Sequence, residues 1–478
     1  MGRGAGPARV AALSSDAQAV LGAAAVVGRR APVALLVAAT GRPEDDALVV
    51  LEKAVESYRA AGDGVGLGRV TAQIGHVHVD RGTPGEATER VQSTIAHLED
   101  AEAWQGLAAL HMTLARFFVA SGRYQEQLSA ATRAAALARQ TGDRDIVANA
   151  ESSRCHALLL LGQLDEARRT LEKAVPLAEA VGDLDCLTAT CGNLAAAHMW
   201  RGEFACSRRY VGLSIAAAER LGNAVLIMVA KLRRAVLSLH EGDWSQAHAD
   251  VDWVSSPGGH IGGAWVFVYP VIALGIACFL EGDWERAERH LEWGIEMATR
   301  IGNLEALRRA QTWLAERDLR EGRPADARDR LLPLLDRPEM REAGWHELDV
   351  SALLPRLAWA HLGLGDLDRA TKIVEEGVGR AQGHRIALAD ALWVRGMVAA
   401  RQGRWEEAAA ALDEGLEVAR AMPYPYAEAR ILEAYGRMHL ARGKVEAARE
   451  QLGAALAIFD RLGARKDAAR VGQVLSDP

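Results

Sequence analysis

The segment His76-Val77-His78-Val79-Asp80 sets two imidazoles and a carboxylate within five residues, a density that invites a metal ion. On a helix, however, side chains two apart do not face each other, so no shared ion is expected. Cys155, Cys186, Cys191 and Cys206 fall in two neighbouring stretches, and Cys191 shares a helical face with His198. A thiolate site needs tetrahedral convergence of its ligands. Small buried residues between helices are the commoner use of such cysteines, and that use is expected here. With Cys278 they make five, none in a C-x-x-C pair, a count that suits a reducing cytoplasm. The chain holds no H-E-x-x-H, no G-x-S-x-G, no dinucleotide fingerprint after a strand and no G-x-x-x-x-G-K-[ST] phosphate loop. No catalytic residues, no cofactor and no metal are expected, and the protein is read as a non-enzyme.

The elements that must position any site are set by a repeat. Gly82, Gly122, Gly162, Gly202, Gly242, Gly282 and Gly322 stand 40 residues apart, and the series continues at Gly365, Gly403 and Gly443, and backwards to Gly41. Two residues after the Gly comes a bulky residue, as in Tyr124, Leu164, Phe204, Trp244, Trp284, Leu367 and Trp405. Five after it comes Ala, as in Ala167, Ala247, Ala287, Ala370 and Ala408, with Gln127 and Ser207 departing. The Gly is expected to end a helix in the left-handed conformation. Asp243, Asp283 and Asp366 are expected to cap the next helix, and the Ala to let two helices cross closely. A second punctuation half a period later, from Gly62-Asp63 to Gly463-Ala464 and including Gly383-His384, divides each unit into two helices of about 16 to 18 residues. His78, His198, His361 and His439 recur four residues before a turn Gly, which marks a packing position.

Composition agrees. Half of the residues are apolar and a quarter charged, and Ala, Leu, Arg and Glu favour helix over strand. The net charge of −7 argues against a nucleic-acid surface. No run of 18 apolar residues offers a membrane span and no secretory signal is visible, so a cytoplasmic location is expected.

Gly-x-aromatic-x-x-Ala between paired helices, with Gly75, Gly275 and Gly436 seven residues upstream of the joint, resembles the tetratricopeptide repeat. The resemblance covers about residues 41 to 474. It implies an all-α, right-handed superhelical solenoid of ten to eleven antiparallel helix pairs with a 40-residue period, longer than is usual for the family. The long period and the stretch Gly192 to Phe204 look like the sensor arm of large bacterial signalling ATPases of the STAND class, including LuxR-type regulators related to the maltose activator. Residues 1–40 are expected to be a separate N-terminal helical segment. Ala8 to Val50 looks like the winged-helix joint of such proteins, or else forms the first helix pair with Gly41 as its turn. The ATPase motif and an output helix-turn-helix are missing from this sequence.

In the tetratricopeptide family the first helix of each pair lines the concave side. By that resemblance, the residue six before the turn Gly points into the groove: His76, Arg116, His156, Ala196, Val236, Ile276, Glu316, Trp359, Met397 and Arg437. The middle is apolar, and Trp200, Tyr269, Ile272 and Phe279 join it, with Arg309, Glu316 and Arg320 placed to orient a polar end. No Asn stands in that column, so the carboxylate grip of the chaperone-binding members is not expected. The Gly-rich stretch Ser255 to Gly263, flanked by Trp253, Trp265, Phe267 and Tyr269, is either a lengthened connector whose aromatics pack in the core or a loop that folds over a ligand, with His260 and Trp265 in contact. The resulting expectation is a recognition arm of a bacterial signalling or transcription-regulating system. It would take a protein, peptide or small apolar ligand in the groove, with no direct nucleic-acid or membrane binding. The alternative is a free-standing scaffold without a small-molecule trigger.

Overall fold

The structure is a computed structural model that describes residues 44–80, 84–120, 123–255, 264–335 and 347–476. The expectation for residues 1–40 lies outside them. The described residues form 22 α-helices and one short 3-10 turn, and among them there is no strand. No helix among them is long and apolar enough to cross a membrane.

Packing divides the helices into two compact units, one up to Ala157 and one from Leu158. The first contains α1 (Glu44–Ala60), α2 (Gly64–Asp80), α3 (Pro84–Asp100), α4 (Trp104–Ala120), α5 (Tyr124–Thr141) and most of α6 (Arg144–Leu160). The second opens with α7 (Leu164–Val181), α8 (Leu184–Trp200), α9 (Phe204–Leu221), α10 (Ala224–Glu241) and α11 (Trp244–Ser255). It continues through α12 (Ala264–Leu280), α13 (Trp284–Arg300), α14 (Leu304–Arg320), α15 (Pro324–Leu331) and α16 (Glu347–Gly363). It ends with α17 (Leu367–Arg380), α18 (Arg385–Arg401), α19 (Trp405–Ala421), α20 (Pro425–Ala441), α21 (Val445–Leu462) and α22 (Arg465–Ser476). Leu51, Leu67, Ile74, Leu107 and Phe117 belong to the core of the first unit; the second holds a cluster that runs from Met199 to Val471 and a smaller one of Ala195, Val211, Ile215 and Ala230.

The turn chemistry is as the repeat requires. Gly242 adopts φ 84° and Gly463 φ 76°, left-handed values that a side chain resists. Gly383 does not take that conformation, and there the His384 ring accepts from the Ala387 N–H to cap α18. Asp243, Asp283 and Asp366 accept from Gln246, Arg286 and Arg369 N–H at the starts of α11, α13 and α17. Tyr124, Leu164, Phe204 and Trp244 are buried in their joints, and so are the Ala residues that follow, such as Ala167 and Ala247. Gln127, in the Ala column, is buried because its amide donates to the Ser153 carbonyl at 2.8 Å.

The two helices of a pair have different surroundings. In the first unit α2 packs on α4, and in the second the even-numbered helices from α8 to α20 pack in series on each other as well as on their partners. Of 17 residues in α8, twelve are buried, against five of 17 in α13. The even-numbered helices are therefore the inner layer, and their hydrophobicity runs all round.

Candidate functional site

That all-round burial decides where the expected groove residues lie. Ile272 has no exposed surface and packs on Gly294 of α13. Phe279 stacks on Trp284 at 5.7 Å and meets Trp313 edge-on at 5.3 Å. Ile276 is buried in the same cluster. These three are core, which corrects their assignment as ligand contacts. An inner helix wedged between two inner neighbours and an outer partner is apolar on several sides, so apolar spacing does not single out one face. Trp200 and Val236 are half-buried against the same core, and the Trp200 ring lies 6.0 Å from His384. His260 lies outside the described residues. Trp265 falls within α12 instead of a loop, and its side chain lies outside the described residues.

Glu316 and Arg320 are also enclosed, and for a reason that apolar patterning does not foresee. Glu316 accepts from Arg356 Nε at 3.0 Å and Nη2 at 2.8 Å, from Arg430 Nη1 at 3.2 Å and from Arg320 Nη2 at 3.3 Å. Arg356 and Arg430 both bond Asp390, while Arg320 bonds Asp467, which also accepts from the Tyr426 hydroxyl at 3.0 Å. Arg470 bonds Asp467 and Glu433. Aromatic rings floor the cluster. The Arg430 guanidinium lies 4.6 Å from the Trp393 ring centre, and that of Arg320 lies 5.5 Å from Trp359. Burial by itself would raise the Glu316 pKa, but Arg356, Arg430 and Arg320 overcome it and hold the carboxyl at about 2. The orienting pair of the expected groove is thus a packed polar plug inside the second unit, not an open site. Arg356, Asp390, Arg430 and Asp467 were missed by the sequence reading. For Arg356, Asp390 and Arg430 the signal was present, since each sits amid apolar residues, as in Leu354-Pro355-Arg356-Leu357 and Ala389-Asp390-Ala391-Leu392, whereas Asp467 follows Arg465-Lys466 and carried none. A charge flanked in this way on an all-round apolar helix requires a buried partner.

A second polar group lies along successive inner helices: Asn193 on α8, Arg233 on α10, Tyr269 on α12, and Glu305 and Arg309 on α14. Arg233 donates to Asn193 Oδ1 at 2.9 Å. The Tyr269 hydroxyl donates to Glu305 Oε2 at 2.9 Å and accepts from Asn303 Nδ2 at 3.1 Å. Arg309 pairs with Glu305 at 2.8 Å and lies 5.7 Å from the Tyr269 ring centre. Burial lowers the Arg233 pKa to about 10; Glu305 and Tyr269 oppose that, and Arg309 adds to it. The only hydrogen-bond partner of Arg233 among the described residues is the neutral Asn193. Arg233 and Arg309 keep some exposed surface. Asn193 and Arg233 stand nine residues before their turn Gly, three earlier than the column assigned to the groove.

The cysteines and histidines behave as packing residues. Cys155, Cys186, Cys191 and Cys278 are buried, and burial pushes the Cys191 thiol up to about 12. Cys206 is exposed, which corrects its inclusion with the buried set. His198 stacks on Tyr210 at 5.4 Å, and its Nδ1 lies 2.5 Å from Glu203. The side chain of His76 lies outside the described residues.

Comparison with known proteins bears on the repeat itself. The tetratricopeptide repeat family model matches residues 148–173, 268–293, 308–333 and 389–414, each window centred near a turn glycine. A model of anaphase-promoting complex subunit 5 matches residues 100–159. No curated protein matches the chain by sequence. Among solved structures, a Rap protein complexed with competence and sporulation factor is similar at 10% identity, with a TM-score of 0.47, over 69% of this chain and 97% of that one. NprR with its cognate peptide NprX is similar at 10% identity and a TM-score of 0.45, over 68% of this chain and 98% of that one. A signal transduction ATPase with numerous domains from Pyrococcus horikoshii, which has a tetratricopeptide repeat sensor, is similar at 12% identity and a TM-score of 0.44. That match covers 78% of this chain and 55% of the other. These are likenesses of fold.

Proposed function

Because the chain carries tetratricopeptide repeats, we propose that it is a non-catalytic recognition module that takes an acidic peptide or protein segment on the inner helices of its second unit. The observation that carries this reading is the charge of Arg233, whose only hydrogen-bond partner among the described residues is the neutral amide of Asn193. A guanidinium drawn out of water without a carboxylate of its own is costly, and a partner carboxylate removes that cost. The half-buried Tyr269 ring lies 5.7 Å from the Arg309 guanidinium, an aromatic and arginine pairing of the kind from which binding hot spots are made. The finer form of the reading is a sensor arm in a bacterial signalling or transcription-regulating system in the cytoplasm. Its support is the lengthened 40-residue period and the Gly192 to Phe204 stretch.

The test compares the wild-type chain with Arg233→Glu in affinity capture from native lysate, with circular dichroism checking that both are helical. At least one partner should be retained by the wild type and lost with the variant. An identical set of captured proteins contradicts the reading.

A further inference from the structure

Gly192 stands at the middle of the inner helix α8, where a glycine weakens the helix and no turn requires it. The repeat does not ask for it either. At the same position of other inner helices, in steps of 40 residues, stand Met112, Ser152, Leu232, Ile272 and Thr312. The inner-helix glycines Gly275, Gly396 and Gly436 have a different reason to be there. A Cβ on them would stand 2.5 to 2.8 Å from Leu291, Leu412 and Leu452 of the outer partner helix, so they serve the crossing within a pair. A Cβ on Gly192 would instead stand 2.8 Å from Nε, 3.1 Å from Cδ and 3.4 Å from Cζ of Arg233, on the next inner helix α10. The guanidinium rests on the bare backbone of α8. One residue on, Asn193, only 5% exposed, accepts from Arg233 Nη2 at 2.9 Å.

Two consecutive residues of α8 therefore fix one side chain of α10, Gly192 at Nε and Asn193 at Nη2. Nη1 has no hydrogen-bond partner among the described residues, and the side chain keeps some exposed surface. We propose that Gly192 is a specificity-determining position: its missing side chain lets Arg233 settle onto α8, and Asn193 then holds the free Nη1 edge toward a ligand carboxylate. This rests on the reading of Arg233 as the anchor of an acidic partner. Gly192 acts through Arg233 and is a positioning residue. A methyl group at 192 pushes the Nε end out to an ordinary contact of 3.4–4 Å. The arginine stem is flexible, so the fold absorbs that shift. The ligand does not, because hydrogen bonds between a guanidinium and a carboxylate are short and directional, and a fork already held in place gives up less freedom on binding.

Fluorescence anisotropy of the full chain with a labelled oligoglutamate peptide, paired with thermal unfolding, tests the role of Gly192. The variants are Gly192→Ala, Arg233→Ala and the two combined. Gly192→Ala should weaken binding about fivefold, the loss of roughly one hydrogen bond. Its thermal midpoint should be no lower than that of the wild type, since alanine is the better helix former. Arg233→Ala should weaken binding further, and adding Gly192→Ala to it should change the affinity no more, as expected of two residues that act through one contact. Wild-type affinity in Gly192→Ala beside weakened binding in Arg233→Ala overturns the role of Gly192 and leaves the binding reading standing. A fallen thermal midpoint in Gly192→Ala, or the same loss of affinity when it is added to Arg233→Ala, assigns the glycine to packing and overturns the proposal as well. If the wild type does not bind the peptide, or Arg233→Ala binds it equally, the reading of the face fails and the role of Gly192 with it.

Discussion

Glu316 has no exposed surface, and three guanidiniums lie on its two oxygens. Removing its charge leaves Arg320, Arg356 and Arg430 with less compensation in a dry interior. Glu316→Gln should cost about 3 kcal/mol in urea unfolding, within the range for breaking a buried ion pair. A cost near zero would mean that water reaches the cluster. Titration supplies a second expectation. Burial holds His240 and His384 at about 4, below the ordinary value of 6.5. The unfolded chain thus takes up protons first as pH falls through 6.5, and stability declines between pH 6.5 and 4. Glu316, held at about 2 against an ordinary 4.5, adds a further loss as pH falls below 4.5. His240→Gln combined with His384→Asn, which keeps a capping acceptor, should flatten the urea midpoint against pH between 6.5 and 4. An unchanged slope would place the titration elsewhere. At this scale the residue types were legible in the sequence and their roles were not. Glu316 and Arg320 were read as groove contacts that orient a ligand's polar end, because their partners lie 40 to 147 positions away, beyond the reach of local spacing.

At the scale of the helix pair, legibility was high because the determinants are local. Turn glycines, Asp caps and the small Ala column act within a few residues of one another. The upstream Gly is the clearest case. A Cβ on Gly436 of α20 would stand 2.5 Å from Leu452 Cγ and 3.2 Å from the Ala448 carbonyl oxygen of α21, so the helices cross there without room for a methyl. Gly453, one position from Leu452 on the same helix, meets nothing within 4 Å. Gly436→Ala should therefore destabilise by about 1–3 kcal/mol through overpacking. Gly453→Ala should stabilise by about 0.5–1 kcal/mol by removing backbone freedom from the unfolded chain. Thermal unfolding of the two variants decides this, and shifts of the same sign in both would contradict the close crossing.

At the scale of the whole molecule, a 40-residue period says that units stack on their neighbours, and the structure is that of a tetratricopeptide-type helical array. The period carries no signal for contacts between units that are not neighbours. The ties of α14 to α20 and α22 were therefore invisible in the sequence. The same gap explains the groove. With helix phase read from one column, the apolar middle looked like a ligand surface, whereas inner-layer burial makes Ile272 and Phe279 core and leaves Arg233, three residues off that column, as the under-compensated group. The most direct measurement is fluorescence anisotropy of the full chain against a peptide set graded in net charge. Affinity should rise with added Asp and Glu, fall with salt, and drop at least tenfold in Arg233→Ala, about the 1.4 kcal/mol of one charge-assisted contact. Preference for basic peptides, or equal affinity in the variant, would contradict recognition through the inner guanidiniums.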